Sequence, residues 1–566
     1  MMNRAYQIGL LVVLAVGYSG AILAQDTVFN RVVTVERDYQ PELKESQAIS
    51  ITPEFIQHAP QPNPVVYSTY SEALSVGYNL DTLPAWKTKF RAVESLNGML
   101  DGAVGHRNSH LWFAYGLQQK NNISLDVYAK HDAYWGSDAL SQSVVGAELT
   151  RHFRKAELYV GIEGQNEAYV YRPRLAADWR NLCTGNAKLG FRSLSNYPFQ
   201  YRVEAGYTAF AVSRLAVEHH AQSHLDLWWT DQRHSAGVKG YVQNTFYSGH
   251  PADISLPAMR HNIRIEPFYA YQDKHIRVHA GVNLDMNIGA GELLSKKENL
   301  SFAPSPNVEL EWSTLRNVLH LYANAKGSFG MGSLDEYMGY NRYLNPEKGL
   351  EMASPRAYTP VDAQVGIKLR PIKTLLLDIY GGYAYMKNAY NMLAMTDGTD
   401  VVDYQLWLSD IQRCKVGAKM HYHYRDILEI NLGGNYYFYH QEPSATMGAN
   451  ELYQAALGNN ASAGWTTDVF DRPDWDAYAR IEAHIDTKWS IYSENYFAGT
   501  RLAYLSQYKA AEIRPIISLN IGGQYTINNA LSVYLQLNDY LNRKDEIFYG
   551  YHSQGIHFLL GVRYKF

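Results

Sequence analysis

The chain has 566 residues, of which 46% are hydrophobic, 13% aromatic and only 19% charged, with a mean hydropathy of -0.33 and a formal net charge of -4. The modest hydropathy argues against a polytopic helical membrane protein, which needs repeated runs of about 20 apolar residues; the aromatic content argues against a disordered chain, and the lack of a basic domain argues against nucleic acid as a partner. With 46 tyrosines and 42 glycines, the composition suits one large membrane barrel better than a string of soluble domains.

Residues 1–24 read as a secretory signal peptide. Arg4 supplies the positive start, residues 8–16 the apolar core, and Ala24 a small residue before the cut. Gly17, Tyr18, Ser19 and Gly20 interrupt the run, so it is too short for a membrane anchor. Residues 25–91 form a different segment, an arm with one strand-like run, Val32, Val33, Thr34 and Val35, followed by Pro41, Pro53, Pro60, Pro62, Pro64 and Pro84. That proline density opposes helices and sheet interiors, and the arm is too short and too broken for a core of its own. It reads as an extended segment that docks in the periplasm or in a lumen.

From 92 to 566 the texture is uniform. Segments of about 10–14 residues alternate apolar and polar with period two and are punctuated by Gly, Asn, Asp, Ser or Pro. Val361, Ala363, Val365, Ile367 and Leu369 share one face, opposite Asp362, Gln364, Gly366, Lys368 and Arg370. In the last segment Phe558, Leu560, Val562, Tyr564 and Phe566 oppose His557, Leu559, Gly561, Arg563 and Lys565. Alternation alone fits a soluble sandwich equally well. The joints decide. Those at 118–122, 153–156, 230–234, 271–275, 314–317, 370–374, 424–427, 486–489 and 526–530 are short and polar. The joints between them, at 131–140, 170–184, 247–257, 288–299, 331–356, 389–403 and 442–471, are mostly longer. Strict alternation of short and long joints marks an outer-membrane barrel, with short periplasmic turns and longer external loops. The spacing predicts an all-β, antiparallel, up-and-down transmembrane barrel of about 22 strands, within a range of 20 to 24. Its apolar faces meet lipid, and runs such as Leu375, Leu377, Ile379, Tyr383 and Tyr385 place the tyrosine excess in a membrane-interface girdle.

The C-terminal hairpin from Asn520 to Lys544 and the tail from Tyr549 to Phe566 resemble the closing hairpin of TonB-dependent-receptor-like outer-membrane barrels of Gram-negative bacteria. Residues 341–346 and 33–41 fit the same group. The resemblance implies an outer-membrane location, assembly by the barrel-assembly machinery through a terminal strand ending in Tyr564 and Phe566, and coupling to TonB through Val32, Val33, Thr34 and Val35. The competing reading of those four residues is that they pair within the lumen and help close it. The chain departs from such receptors by lacking room for a full plug domain before the barrel. Function is therefore expected as a non-enzymatic uptake or passage component. Two alternatives stand beside it: a structural or assembly-associated barrel that scaffolds surface or periplasmic partner proteins, and an outer-membrane hydrolase.

No catalytic, cofactor or metal motif is expected. Glu218, His220, Gln222, His224 and Asp226 share one strand face and raise a metal-site reading, against which stands a plain polar lumen wall. Cys183 and Cys414 are expected to be two free, packed thiols. The candidate ligand or partner residues sit in the long loops: Tyr337, Tyr340 and Tyr343 in one, Tyr453 and Trp465 in another. Flat aromatics beside amides and charges either stack on sugars or anchor a partner, or fold inward and pack on one another.

Overall fold

The computed structural model describes residues 98–566, apart from 121, 137–138, 172–177, 195–196, 213–214, 250–258, 290–299, 314–317, 331, 346–356, 398–399, 445–468 and 507–508. The signal peptide, the arm with Val32 to Val35, and the loop residues Tyr453 and Trp465 lie outside the described residues.

Twenty-two antiparallel strands close into a barrel, as the spacing predicts. The ring shuts where the first strand, Gly98–Gly105, pairs along its length with the last, His557–Lys565. At one end of the barrel every connection is five residues or shorter; the loops at the other end include 330–357 and 444–474. Two details differ from the sequence reading. Residues 389–403 do not form a loop: they lie within the longest hairpin, Leu375–Asp397 paired with Asp400–Tyr424. A short joint at 194–198, between strands Asp178–Ser193 and Phe199–Val212, carries no strong turn dipeptide and was not expected.

The short turns repeat one device. The carboxylate of Asp231 accepts backbone N–H groups of Arg233 (2.7 Å) and His234 (2.6 Å), that of Asp486 accepts from Lys488 and Trp489 (both 2.7 Å), and Asn528 accepts from Ala530 (2.9 Å) and Leu531 (2.8 Å). These donors hold the exposed carboxyls of Asp231 and Asp486 below the usual carboxylate range.

Alternation sorts the wall as expected. Val365 is 61% exposed on the lipid side, whereas Gln364 turns inward and donates to the Tyr322 hydroxyl at 3.0 Å. Where each face points follows from the pleat, since successive side chains leave opposite sides. Trp229, Trp312, Trp489, Tyr424 and Tyr564 sit on the lipid side near the short turns, where an interface girdle belongs.

The girdle does not account for all of the tyrosine. Five luminal tyrosines build one repeated three-strand staple. Each ring lies over a glycine directly opposite on the next strand, and its hydroxyl donates to an acid or amide on the strand after that. Tyr128 covers Gly146 and reaches Glu163; Tyr159 covers Gly190 and reaches Glu204. Tyr322 covers Gly366 and reaches Asp378 (2.9 Å); Tyr380 covers Gly417 and reaches Asn435 (2.6 Å). The fifth crosses the seam: Tyr534 covers Gly561 and reaches Asp101 (2.6 Å). A Cβ on any of these glycines would fall inside the ring. The aromatic shields the bare backbone and pins the register of two strand pairs at once.

Two outcomes test this wall by heat-resistant folded mobility in gels. Val365→Arg, on the lipid face, should cost about 2–4 kcal/mol, while Gln364→Leu should assemble normally; equal effects would remove the face assignment. Gly190→Val should displace Tyr159 at an overpacking cost of about 1–3 kcal/mol, and Tyr159→Ala in the same chain should recover part of it.

Candidate functional site

The site is the lumen, whose two halves have opposite chemistry. Toward the long loops it is apolar. Residues 332–345 turn inward and include a short helix, α1 (Leu334–Tyr340), started by Ser333, whose hydroxyl accepts from the backbone N–H of Glu336 at 3.3 Å. Its apolar residues, Leu334, Tyr337 and Met338, join one buried cluster with Tyr169, Tyr171 and Phe210 from one part of the ring and Met392, Leu406 and Leu408 from the long hairpin. Trp407, Phe470 and Tyr504 cover the hairpin's other face. The result is an aromatic stopper.

A buried carboxylate ties α1 to the wall. Glu218, on strand Ala216–Thr230, accepts the backbone N–H groups of Leu334 (2.7 Å) and Asp335 (3.0 Å), and His220 lies 2.9 Å away on the same strand. A negative charge at the helix start offsets its free N–H groups. Arg260 donates to the carbonyl of Gly332 (2.8 Å) and to the Tyr247 hydroxyl (2.6 Å), anchoring the strand end before the helix. The loop after the helix is fixed as well: Tyr169 donates to the Arg342 carbonyl (2.5 Å), Arg342 pairs with Glu167 (2.8 Å), and the Asn345 amide donates to Asp403 (2.6 Å).

The candidate loop tyrosines therefore take part in this packing. Tyr337 is fully buried and meets Tyr390 edge-on at 4.9 Å; Tyr340 meets the same ring at 6.4 Å; Tyr343 stacks on Tyr551 at 3.7 Å. Glu218 was singled out in the sequence as a metal candidate or a polar lumen-wall residue, without its contact to α1; the residues that sequence reasoning missed are Met392, Leu406 and Leu408 of the hairpin. Their signal was present as a loss of strict alternation after Met386, where the register shifts.

Toward the short turns the lumen is polar and cross-linked by charge. Arg192 pairs with Glu157 (2.8 Å), Arg202 with Asp226 (2.8 Å) and Lys239 with Glu266 (3.0 Å); one further pair, Arg264 with Asp285 (2.7 Å), lies nearer the loop end. Of the five residues considered for a metal, Glu218 and His220 serve α1, Asp226 serves Arg202, and His224 rests against Tyr241 with centroids 4.6 Å apart. Among the described residues no three His, Cys, Asp or Glu side chains converge as a metal set.

Two hydroxyl–imidazole–carboxylate chains occur. Ser124 Oγ lies 2.8 Å from His152 Nε2, whose Nδ1 lies 2.9 Å from Glu157; Thr245 Oγ1 lies 3.0 Å from His220 Nδ1, whose Nε2 lies 2.9 Å from Glu218. An acyl-transfer site needs free N–H donors aimed at the developing oxyanion. The strand N–H groups around both chains belong to the sheet ladder, and the same wiring at two unrelated places is that of wall cross-links. Both cysteines are free thiols, but Cys183 is exposed on the outer face, donating to Asn166 at 3.1 Å, and is not packed as expected.

One buried acid makes the stopper sensitive to pH. Asp471 accepts the backbone N–H of Met392 at 2.6 Å, and burial pushes its carboxyl up to about 6. A folded value above the unfolded one means that the charged form is disfavoured in the fold, so stability rises as pH falls from about 7 toward 4. Protease resistance of the loops should increase over that window, and Asp471→Asn should flatten the dependence. Glu218→Ala, which strands two buried N–H donors, should loosen α1 by about 2 kcal/mol or more, read as cleavage within 330–357 of a barrel that stays folded.

No family model and no curated protein matches the chain. Solved structures do. The barrel superposes on the copper transporter OprC with a TM-score of 0.61 at 10% identity, over 83% of this chain and 80% of that one. A variant of the ferric enterobactin receptor PfeA of Pseudomonas aeruginosa gives 0.59 at 10% identity, over 83% and 80%. The ferric-catecholate import receptor Fiu of Escherichia coli K12 gives 0.57 at 10% identity, over 83% and 82%. The likeness is one of fold: the chain closes a 22-strand antiparallel β-barrel of the shape seen in those TonB-dependent receptors and transporters.

Proposed function

We propose that the protein is a non-enzymatic uptake or passage component of the outer membrane, closed at its outer mouth by the stopper. The observation that supports this best is the division of the lumen: an apolar plug of inward loops stands above a charged, hydratable wall. A scaffold that passes nothing has little use for a polar lumen beneath a separately anchored cap. The filled outer lumen is still the feature that favours the second reading, a structural or assembly barrel holding partner proteins. Tyr340 and Tyr343 of the stopper are the described residues we assign to ligand or partner contact, and Tyr453 and Trp465 are assigned to it from the sequence alone. No cofactor or metal is needed for this role.

At the other end, we assign the arm to closure of the lumen from the periplasmic side, with TonB coupling through Val32 to Val35 as the competing role. Both use an extended run that donates main-chain hydrogen bonds. Assembly is assigned to the terminal strand. Phe566 exchanges backbone hydrogen bonds with Gly98 (2.8 and 3.0 Å), and its ring stacks near Tyr564 at 5.9 Å and Tyr115 at 6.4 Å. The tail thus seals the seam besides presenting a terminal aromatic to the assembly machinery.

Single-channel recording on the purified protein should show a closed barrel that conducts after the Glu218→Ala change; a variant as silent as the wild type would favour the scaffold. Val33→Pro removes a ladder donor. Under closure it should raise passive conductance and leave TonB pull-down unchanged; lost pull-down with unchanged conductance would give the run to coupling. Replacing Tyr564 and Phe566 by Ser should leave degraded or periplasmic protein, and normal surface levels would show that the tail is not read during insertion.

A further inference from the structure

At the short-turn end, the inner faces of four neighbouring strands surround a cavity of about 140 Å³. The strands are His234–Ser248, Arg260–Gln272, Ile276–Ile288 and Leu300–Ser313. The floor is one row in register across all four: Ser235 faces Ala270, Ala270 faces His279, and His279 faces Glu309. The alternate residues Val238, Ile276, Val308 and Leu310 are exposed on the lipid side, so this row points into the lumen. The hollow exists because Ala270 is the small member of the row. The next inward residue on its strand, Phe268, stacks on His279 at 5.3 Å and carries Lys239 at 4.8 Å, which holds the imidazole in place.

Toward the mouth of the barrel the lining turns to cations and an amide. Gln272 and Arg277 stand opposite each other, and Arg233 reaches in from the turn before Ser235. The Asp231 carboxylate in that turn is spent on the backbone N–H groups of Arg233 and His234. The Arg233 guanidinium has no carboxylate partner among the described residues. Arg277 has only Glu311, at 4.0 Å, with both side chains more than half exposed; a pair of that kind contributes little. The one acid of the lining, Glu309, is already held by Lys326 at 2.6 Å. Glu266, 3.5 Å from His279, is likewise held by Lys239 (3.0 Å) and the Asn307 amide (2.7 Å). The balance at the cavity is positive. Water occupies about 30 Å³ in the liquid, so the space suits a group of roughly four or five heavy atoms.

We propose that this hollow binds a small oxyanion, a phosphate or carboxylate group carried by a periplasmic solute. Arg233 and Arg277 supply planar forks of N–H donors that match two oxygens of one group. Ser235 and Gln272 serve the oxygens that remain. The lining offers no apolar wall for a hydrocarbon ligand, and Glu309 at its far side weighs against a group of high negative charge. The site lies at the opposite end of the lumen from the stopper and does not depend on whether the barrel passes a solute.

The test is isothermal titration calorimetry on the full chain, purified in detergent at physiological ionic strength. Inorganic phosphate and acetate are separate probes, and glucose is the neutral control. Saturable binding of at least one anion and none of glucose is expected, and the tighter probe tells phosphate from carboxylate. Arg233→Ala and Arg277→Ala should each weaken binding roughly ten-fold. Arg233→Lys and Arg277→Lys should weaken it less, because the charge stays and only the fork is lost. Ala270→Leu fills the floor without touching a charge and should abolish binding. Glu309→Gln, which removes the acid and releases Lys326, should tighten it. Arg154→Ala, at another short turn, should leave it unchanged. All variants are compared as barrels that keep heat-resistant mobility. No saturable binding of either anion would overturn the proposal. So would equal losses from Arg154→Ala and Arg277→Ala, or binding undiminished by Ala270→Leu, since either would trace the effect to the general field of the wall.

Discussion

The seam between the first and last strands is the constraint on which the rest depends. Lipid offers a backbone no hydrogen-bonding partner, so a membrane sheet is viable only when it has no edge. Here the edge is removed by backbone exchange between Gly98 and Phe566 and is locked from inside by a buried ion pair. Arg563 donates to Asp101 through Nε at 2.8 Å and through a terminal nitrogen at 2.7 Å, while Tyr534 donates to the other oxygen. Buried charge of this kind is a poor source of net stability but is strongly destabilising when half of it is lost. Its value is specificity: only one register of the closing pair brings these three residues together.

Once the ring is closed, its interior has to be filled or hydrated, and both solutions are used. Near the loops the wall supplies Tyr169, Tyr171 and Phe210, so inward loops gain by burying Leu334, Tyr337 and Leu344 against them. Their backbone polar groups would be stranded there, which explains why two deeply buried side chains meet the start of that segment: Glu218 accepts the N–H of Leu334, and Arg260 donates to the carbonyl of Gly332. Below, the wall changes to paired charges and hydroxyls, where water is the natural filling.

Most of the wall was legible in the sequence because a strand with lipid on one side and a polar lumen on the other writes its period into every second residue. Val365 and Gln364 show it at adjacent positions. Loop parity then separated a membrane barrel from a sandwich. The stopper was not legible. Residues 389–409 lose the alternation because both faces of that hairpin are buried, Leu406 and Leu408 against α1 and Trp407 against Phe470 and Tyr504, and a strand buried on both faces reads like an irregular apolar loop. Glu218 and His220 were visible as a pair, but Glu218 also accepts backbone N–H groups more than a hundred residues away, which no local spacing reveals. The tyrosines were half understood: the girdle was expected, while the staples required knowing which glycine faces which ring.

Those staples also impose an order on construction. Each needs three neighbouring strands, so a sheet growing one strand at a time carries an unfinished staple until two more have been laid down. An incoming strand that is slipped by one residue would present a side chain where the ring needs a glycine. Four of the five staples check the wall in this way during growth. The fifth joins Tyr534 and Gly561 to Asp101, nearly the whole length of the chain away, and can be completed only when the cylinder shuts. The same residues that shape the lumen are therefore specific to a single register, and the last of them to the closed cylinder.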